Sequence, residues 1–403
     1  MFLLDKRVYR LILARFFDTI SSGLFMMALP WVMLKMGNNA TIVALIAVVC
    51  TVSSFILTPL FATLIDRYSR KKIIVTIQFI QSMTAFLVLI ISLLWDVPLW
   101  VLVIAQIIFW ITTDTSWDVN NALTQEVFEK EEYPRIISYQ VLIKQTAFLG
   151  AGAMGVIVLE NWTIQGFAFC AAVCSLLGFT FYSLTPYRRQ LREKTEINFL
   201  KQISETRYII KREKKLFILM AFSGLTYPAA TYLSQLIPIF LASNSYEGSW
   251  FALWNTNYGV GALLCGFVST MLLRKFSKKK TMVVSVLLFS SILIIMALSM
   301  TPTYFVISAG FLGFLNLLCN VTRLNLMNEV VDVNERGRFD GGLKLFTTIS
   351  QFFGYIIISI LTYVNAIDYG FFIISFCIVA SGIVVLLYST SARATLGSAA
   401  PLN

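Results

Sequence analysis

Long, unbroken apolar runs, each about as long as a bilayer is thick, recur from one end of the chain to the other. A helix needs about 20 residues to cross a hydrocarbon core. In that medium every backbone N–H and C=O must find a partner within the protein, which leaves only helices and closed barrels. A barrel would alternate apolar and polar residues over segments of about ten, and these runs do not alternate. Twelve spans can be drawn: 8–34, 41–65, 73–95, 98–120, 136–159, 163–185, 216–242, 250–273, 281–300, 303–328, 340–364 and 369–390. Composition agrees, because 58% of the 403 residues are apolar and 13% are charged. That is too little polar surface for a soluble enzyme of two or three domains. The expected fold class is an all-α polytopic membrane protein with 12 transmembrane helices.

The loops are short except for 186–215, which is long and highly charged. It marks off an N-terminal six-helix bundle (1–185), a linker (186–215), a C-terminal six-helix bundle (216–390) and a small polar tail (391–403). Residues 198–212 are weakly amphipathic, either lying on the membrane surface or forming a solvated linker. The net charge of +11 is concentrated in loops on one side. With the N-terminus inside, 27 of the 32 Lys and Arg residues fall in inner segments, one (Lys35) in an outer loop, and Arg15, Lys144, Arg323 and Lys344 within spans. This asymmetry places both termini in the cytoplasm. It makes the basic excess a topology signal, so no nucleic-acid partner is expected. No cleaved signal peptide is expected in the charged stretch Met1 to Arg10.

The halves repeat. Ile65-Asp-Arg-Tyr-Ser-Arg-Lys-Lys72 matches Leu273-Arg-Lys-Phe-Ser-Lys-Lys-Lys280 at an offset of 208. Glu126, Val127, Glu129, Glu132 and Arg135 recur as Glu329, Val330, Asp332, Glu335 and Arg338 at an offset of 203. Each match sits at the same place in its half. Six spans is an even number, so the two units enter the membrane with the same orientation. They are parallel repeats related by an axis along the membrane normal.

The stretch Ala62-x3-Asp66-Arg67-x2-Arg70-Lys71-Lys72 resembles the loop between the second and third helices of the major facilitator superfamily, with Ala62 where that loop normally begins with Gly. Asn121 to Gln140 is similar to the corresponding loop of the drug:proton antiporter branch that includes macrolide efflux proteins and enterobactin-type siderophore exporters. Gly150-Ala151-Gly152-Ala153-Met154-Gly155 resembles the glycine-rich motif of drug exporters, with Ala151 in place of its proline. Close helix packing explains the same residues equally well. The resemblance implies two six-helix parallel-repeat bundles around a central cavity. It implies export of a small amphiphilic molecule in exchange for protons, across a bacterial cytoplasmic membrane. It also implies a latch in which Asp66, with Arg67 and Arg70, meets the start of the eleventh helix, where Asp340-Gly341-Gly342 and Lys344 lie.

Charges inside hydrocarbon are costly and therefore functional candidates. Arg15 and Asp18 are three residues apart on one helix face. They form either a proton site tuned by the guanidinium or a self-neutralised pair. Asp114 and Asp118, four apart, are either proton carriers, since adjacent carboxylates disfavour double ionisation, or partners of a cation such as Lys144. Arg323 either contacts an anionic cargo group or pairs across the cavity with Asp114 or Asp118. The expected cavity lining is Trp110, Trp117, Tyr227, Tyr232, Gln235, Trp254, Asn255, Asn257 and Tyr258. Trp31, Trp95, Trp100, Trp162 and Trp250, near outer ends, are expected as interfacial anchors. The six cysteines sit in apolar runs and read as packing residues. With no His, no phosphate loop and no nucleophile elbow, no metal, cofactor or enzymatic activity is expected. The expected partners are a small-molecule substrate, protons and the lipid bilayer, and a monomer is expected. A lipid flippase, an importer of the same fold and a non-transporting sensor are the alternatives.

Overall fold

The computed structural model describes residues 6–36, 40–128, 164–187, 207–331 and 333–391, with isolated positions between 132 and 157. The side chains of a few helical positions, Asp66 and Arg67 among them, lie outside the described residues. All regular structure among the described residues is helical. The helices are α1 (Lys6–Gly23), α2 (Leu29–Lys35), α3 (Ala40–Arg67), α4 (Arg70–Leu94), α5 (Leu99–Val127), α6 (Ile164–Leu184), α7 (Lys214–Ser223), α8 (Thr226–Ser243), α9 (Gly248–Lys275), α10 (Lys278–Ser299), α11 (Pro302–Val330), α12 (Val333–Tyr363) and α13 (Tyr369–Ser391).

Ten helical stretches among the described residues are long and apolar enough to cross a membrane, α1–α2 and α7–α8 each counting as one. They correspond to ten of the twelve expected spans. The expected eighth is α9, a 28-residue helix diluted by Asn255 and Asn257. Most of the expected fifth (136–159) lies outside the described residues. Large side chains such as Phe267, Phe376 and Leu298 are more than 70% exposed, which suits lipid as the surrounding solvent and would be costly in water.

Proline chemistry shapes the first and seventh spans. Pro30 has no N–H and crowds the carbonyl four residues back, and a π-helical turn at Leu24–Ala28 precedes it between α1 and α2. The freed carbonyl of Met26 accepts from Gln106 Nε2 of α5 at 3.5 Å. Gly155 packs onto this turn, where an added Cβ would come within 2.8 Å of Ala28 Cβ and Leu24 Cδ2. The seventh span breaks at Gly224-Leu225, and Pro228 falls in the first turn of α8, the place a helix tolerates it.

The chain divides into two compact units, Met1–Arg192 with Leu241–Gly259, and Glu193–Phe240 with Val260–Asn403. In the first, α4 packs along α5 and α6, and α1 along α6. In the second, α10 packs along α11 and α13, and α7 along α13. These are the same pairs by position in each half, so the repeat read from two loops extends to helix packing. Phe240, Phe305 and Phe371 form one aromatic cluster in the second unit, with centroids 5.0–5.4 Å apart. Ile209 is buried there with Leu216, Leu219, Phe339 and Leu343, and Arg212 forks onto Glu335, Nη1 lying 3.0 Å from Oε1. Residues 207–212, the described part of the stretch 198–212, are therefore docked on α12.

Two further expectations are corrected. Asp340-Gly341-Gly342 does not begin the eleventh span, because α12 starts at Val333. These residues lie beyond its first turn, so their N–H groups are not the free donors of a helix start. Trp31 is no interfacial anchor, being 1% exposed and stacked on Phe251 with centroids 6.2 Å apart. Trp95 and Trp100 are well exposed, as a belt requires.

Candidate functional site

The most concentrated buried polarity in the first unit surrounds Asp18, where α1, α4, α5 and α6 meet. Asp18 and Arg15 are 2% and 4% exposed. Arg15 Nη1 donates to Asp18 Oδ2 at 3.0 Å. Oδ2 also accepts from Ser116 Oγ of α5 at 2.9 Å and lies 3.5 Å from the Tyr182 hydroxyl of α6. Oδ1 accepts from Gln78 Nε2 of α4 at 2.8 Å and from Ser22 Oγ at 3.4 Å. The same Gln78 amide donates to Gln81 Oε1 at 2.9 Å, and Gln81 Nε2 donates to Thr112 Oγ1 at 3.0 Å. Tyr182 donates to Asn120 Oδ1 at 3.0 Å, and Asn120 Nδ2 reaches the Ser116 carbonyl at 2.8 Å. Gly178 of α6 makes room, since a Cβ there would lie 2.9 Å from Gln78 Oε1. Arg15 Cζ also stands 5.0 Å from the centre of the Trp117 ring, within cation–π range.

Arg15 and Asp18 were legible in the sequence as a same-face pair, whereas Gln78, Gln81, Ser116, Asn120 and Tyr182 were not singled out. A signal existed: two glutamines three residues apart inside an otherwise apolar span mark a face that must meet polar partners.

The α5 carboxylates stand apart from this cluster. Asp114 is exposed and accepts from Ser54 Oγ of α3 at 2.7 Å. Asp118, Trp110 and Trp117 are half-buried. Lys144 lies outside the described residues, and so does the proposed Asp114–Lys144 bridge. Of the expected latch, Asp66 and Arg67 belong to α3, with side chains outside the described residues. Arg70 is buried; its Nη1 donates to the Ala122 carbonyl at 2.6 Å and lies 3.4 Å from Glu126 Oε1. Three other cations meet carbonyls at helix ends among the described residues. Arg7 donates to the Val127 carbonyl, Arg10 to that of Leu184 and Lys71 to that of Thr185, at 3.3, 2.7 and 2.8 Å. Cations at helix C-termini meet orphaned carbonyls and the negative end of the helix dipole.

On α9, Trp254 and Asn255 are buried, Asn257 and Tyr258 half-buried, and the Trp254 and Tyr258 rings lie 6.4 Å apart. In the second unit Tyr227 is exposed, Gln235 is buried, and Tyr232 is buried with its hydroxyl donating to the Gly370 carbonyl at 3.3 Å. Arg323 is half-buried against Gly224, and its Nη2 donates to Asn320 Oδ1 at 2.9 Å. Asp340 and Lys344 are exposed on α12. No group of three or more metal-ligating side chains occurs among the described residues.

A duplicated helical bundle with charge sealed inside one half and long lipid-type surfaces describes a multi-pass membrane transporter. The profile of the Major Facilitator Superfamily matches residues 11–254 and 247–401, and the chain belongs to that family. It is similar to macrolide efflux protein A of Streptococcus pyogenes, 19% identical over 315 residues that cover 76% of this chain and 75% of that protein. The protein of the same name from Enterococcus faecalis is 20% identical over 270 residues, 65% of this chain and 79% of that one. Its fold is shared with a D-xylose-proton symporter (TM-score 0.75, 10% identity, 94% of this chain and 96% of that one). It is shared too with a bacterial homologue of the iron transporter ferroportin (TM-score 0.72, 15% identity, 96% and 99%).

Proposed function

We propose that this protein is a secondary exporter that carries a small amphiphilic molecule, macrolide-like or siderophore-like, out of a bacterial cell in exchange for protons. Residues 1–185 and 216–390 would rock about a midplane site, with both termini in the cytoplasm. The similarity to macrolide efflux proteins supports the outward direction and the cargo class. The 27-to-1 distribution of loop cations supports the orientation and a cytoplasmic-membrane location.

The observation that carries the proton half of the proposal is the pair of α5 carboxylates, with Asp114 exposed beneath a hydroxyl donor. A carboxylate that must take up and give away a proton has to be reached by one. Trp110, Trp117, Tyr227, Asn257 and Tyr258 present accessible surface for cargo. Tyr232, Gln235, Trp254 and Asn255 are each under a tenth exposed. Arg323 is the candidate for an anionic cargo group. The test is exchange in proteoliposomes with an imposed pH gradient, using erythromycin and a catecholate siderophore as cargos and a trapped pH dye as the proton readout. Cargo should move against proton flow, and Asp114→Asn should abolish the coupled proton movement. Cargo flux that ignores the gradient would refute antiport.

A further inference from the structure

We infer that residues 207–215 form a docking surface for anionic phospholipid headgroups, built by the end of the linker where it is fastened to α12 beside the seventh span. The inference rests on the multi-pass membrane class alone and needs neither the cargo nor the proton coupling.

The stretch Arg207-Tyr-Ile-Ile-Lys-Arg-Glu-Lys-Lys215 holds five cations and one acid. The apolar run of the seventh span starts directly after it, at Leu216. Cations that adjoin a span in this way lie at the level of the headgroups. Arg207, Lys211, Lys214 and Lys215 follow the i, i+4, i+7, i+8 spacing of one helix side. Residues 207–212 are helical. The Glu213 N–H donates to the Ile209 carbonyl and the Phe217 N–H to the Glu213 carbonyl, both at 2.9 Å, which carries the turn through into α7.

The structure shows which side of this segment the protein already uses. Ile209 is 2% exposed, in a core with Leu216, Leu219, Phe339 and Leu343. Ile210 Cδ1 lies so close to α12 that an added Cβ at Gly342 would come within 2.9 Å of it. The segment's acid, Glu213, accepts from Arg212 Nε at 3.2 Å, and Arg212 also forks onto Glu335 of α12. The apolar side and the acid are thus both occupied within the protein. Arg207, Lys211, Lys214 and Lys215 remain exposed, and none of the four is in an ion pair among the described residues. Tyr208 is 66% exposed beside them, and a tyrosine ring is at home between headgroups and hydrocarbon.

Four uncompensated cations on a docked segment at the end of a span complement a layer of phosphate esters. A membrane-inserting amphipathic helix buries its apolar side among acyl chains. Here that side packs on the protein, so the surface reads headgroup charge. Each such cation strengthens attachment to an anionic surface about fivefold, and salt screens the effect.

The test places the full chain in phosphatidylcholine vesicles containing spin-labelled phosphatidylglycerol or spin-labelled phosphatidylcholine, and electron spin resonance reads the lipid immobilised by protein. Wild type is compared with Arg207→Gln/Lys211→Gln/Lys214→Gln/Lys215→Gln and with Arg274→Gln/Lys275→Gln/Lys280→Gln, which removes exposed cations from another loop. Wild type should prefer phosphatidylglycerol. The preference should fall about twofold or more in the linker variant, change little in the loop variant, and weaken in wild type when salt is raised. Equal losses in the two variants would show a diffuse field without a built surface and overturn the inference. So would an unchanged preference in the linker variant, or a wild-type preference that ignores salt. Inorganic phosphate should compete no better than chloride at matched ionic strength, and displacement of the lipid by phosphate would assign the cations to a free anion instead. If the linker variant does not accumulate, Lys211→Gln/Lys214→Gln takes its place, with a smaller loss expected and an unchanged preference again fatal. Failure of cargo–proton exchange in wild type refutes the antiport reading and leaves this one standing, whereas absence of lipid preference does the reverse.

Discussion

The two halves occupy the same packing scheme with different chemistry. At the offsets of 208 and 203 that relate the repeats, Arg15, Asp18, Ser116 and Asn120 correspond to Ser223, Thr226, Cys319 and Arg323. Gln78 and Gln81 correspond to Val286 and Phe289. In the first unit these positions form a sealed ionic network. In the second, Cys319 Sγ donates to the Ser223 carbonyl at 3.3 Å, Arg323 turns to its neighbour Asn320, and the third span of that half packs with apolar side chains. The loop cations show the same asymmetry. Arg70 with Glu126 and Lys278 with Glu329 are matched ion pairs. The side chains of the first pair are 3% and 8% exposed, those of the second 25% and 57%. Because the second half keeps the helix packing with Ser223 and Thr226 where the first has Arg15 and Asp18, the architecture itself does not demand an ion pair there. The ionic network of the first half is a departure from the shared plan, which points to function.

The comparison can be broken most directly at position 18. Asp18→Asn alone should cost about 3–5 kcal/mol by stranding Arg15, while Thr226→Val at the matched site should cost about 1 kcal/mol or less. Thermal unfolding of the detergent-purified proteins measures both, and equal losses would show the two sites to be equivalent. The loop pairs sharpen it next. Arg70→Ala removes a buried, charge-assisted contact and should cost about 2–3 kcal/mol. Lys278→Ala should cost about 0.5 kcal/mol or less and become silent at high salt. A salt-insensitive loss at Lys278 would contradict this. The smallest effect concerns two glycines, one in the sixth span and one in the twelfth. A Cβ at Gly178 meets Gln78 Oε1 at 2.9 Å and the Asp18 backbone N at 3.3 Å, and neither can move without disturbing the network. Gly178→Ala should therefore cost about 1–2 kcal/mol. At Gly382 the first contact is the end of the Leu287 side chain at 3.1 Å, which can turn aside, so Gly382→Ala should stay within about 0.5 kcal/mol of wild type.

Much of the fold was legible in the residues. A bilayer offers no partner for a bare peptide group, so runs such as 281–300 could only be helices, and α10 at Lys278–Ser299 follows that run closely. Same-face spacing exposed the Arg15–Asp18 pair, because residues three apart on a helix are neighbours whatever surrounds them. The start of α12 at Val333 was not legible, because the apolar run by which a span is recognised begins only near residue 340. An added Cβ at Gly342 would lie 2.9 Å from Ile210 Cδ1, so close approach by the docked linker accounts for a small residue inside that helix.

The sequence by itself determined the helical class, the span pattern and the duplication, since these follow from local apolarity, loop charge and spacing along one chain. Only the tertiary structure decided which polar groups meet: that Gln78, Ser116 and Tyr182 converge on Asp18, that Arg70 turns inward to Glu126, and that Trp31 is buried. Contacts between helices depend on how each is rotated about its axis and what lies opposite. In lipid an apolar face pointing outward and one pointing inward read alike, so hydropathy carries no record of that rotation.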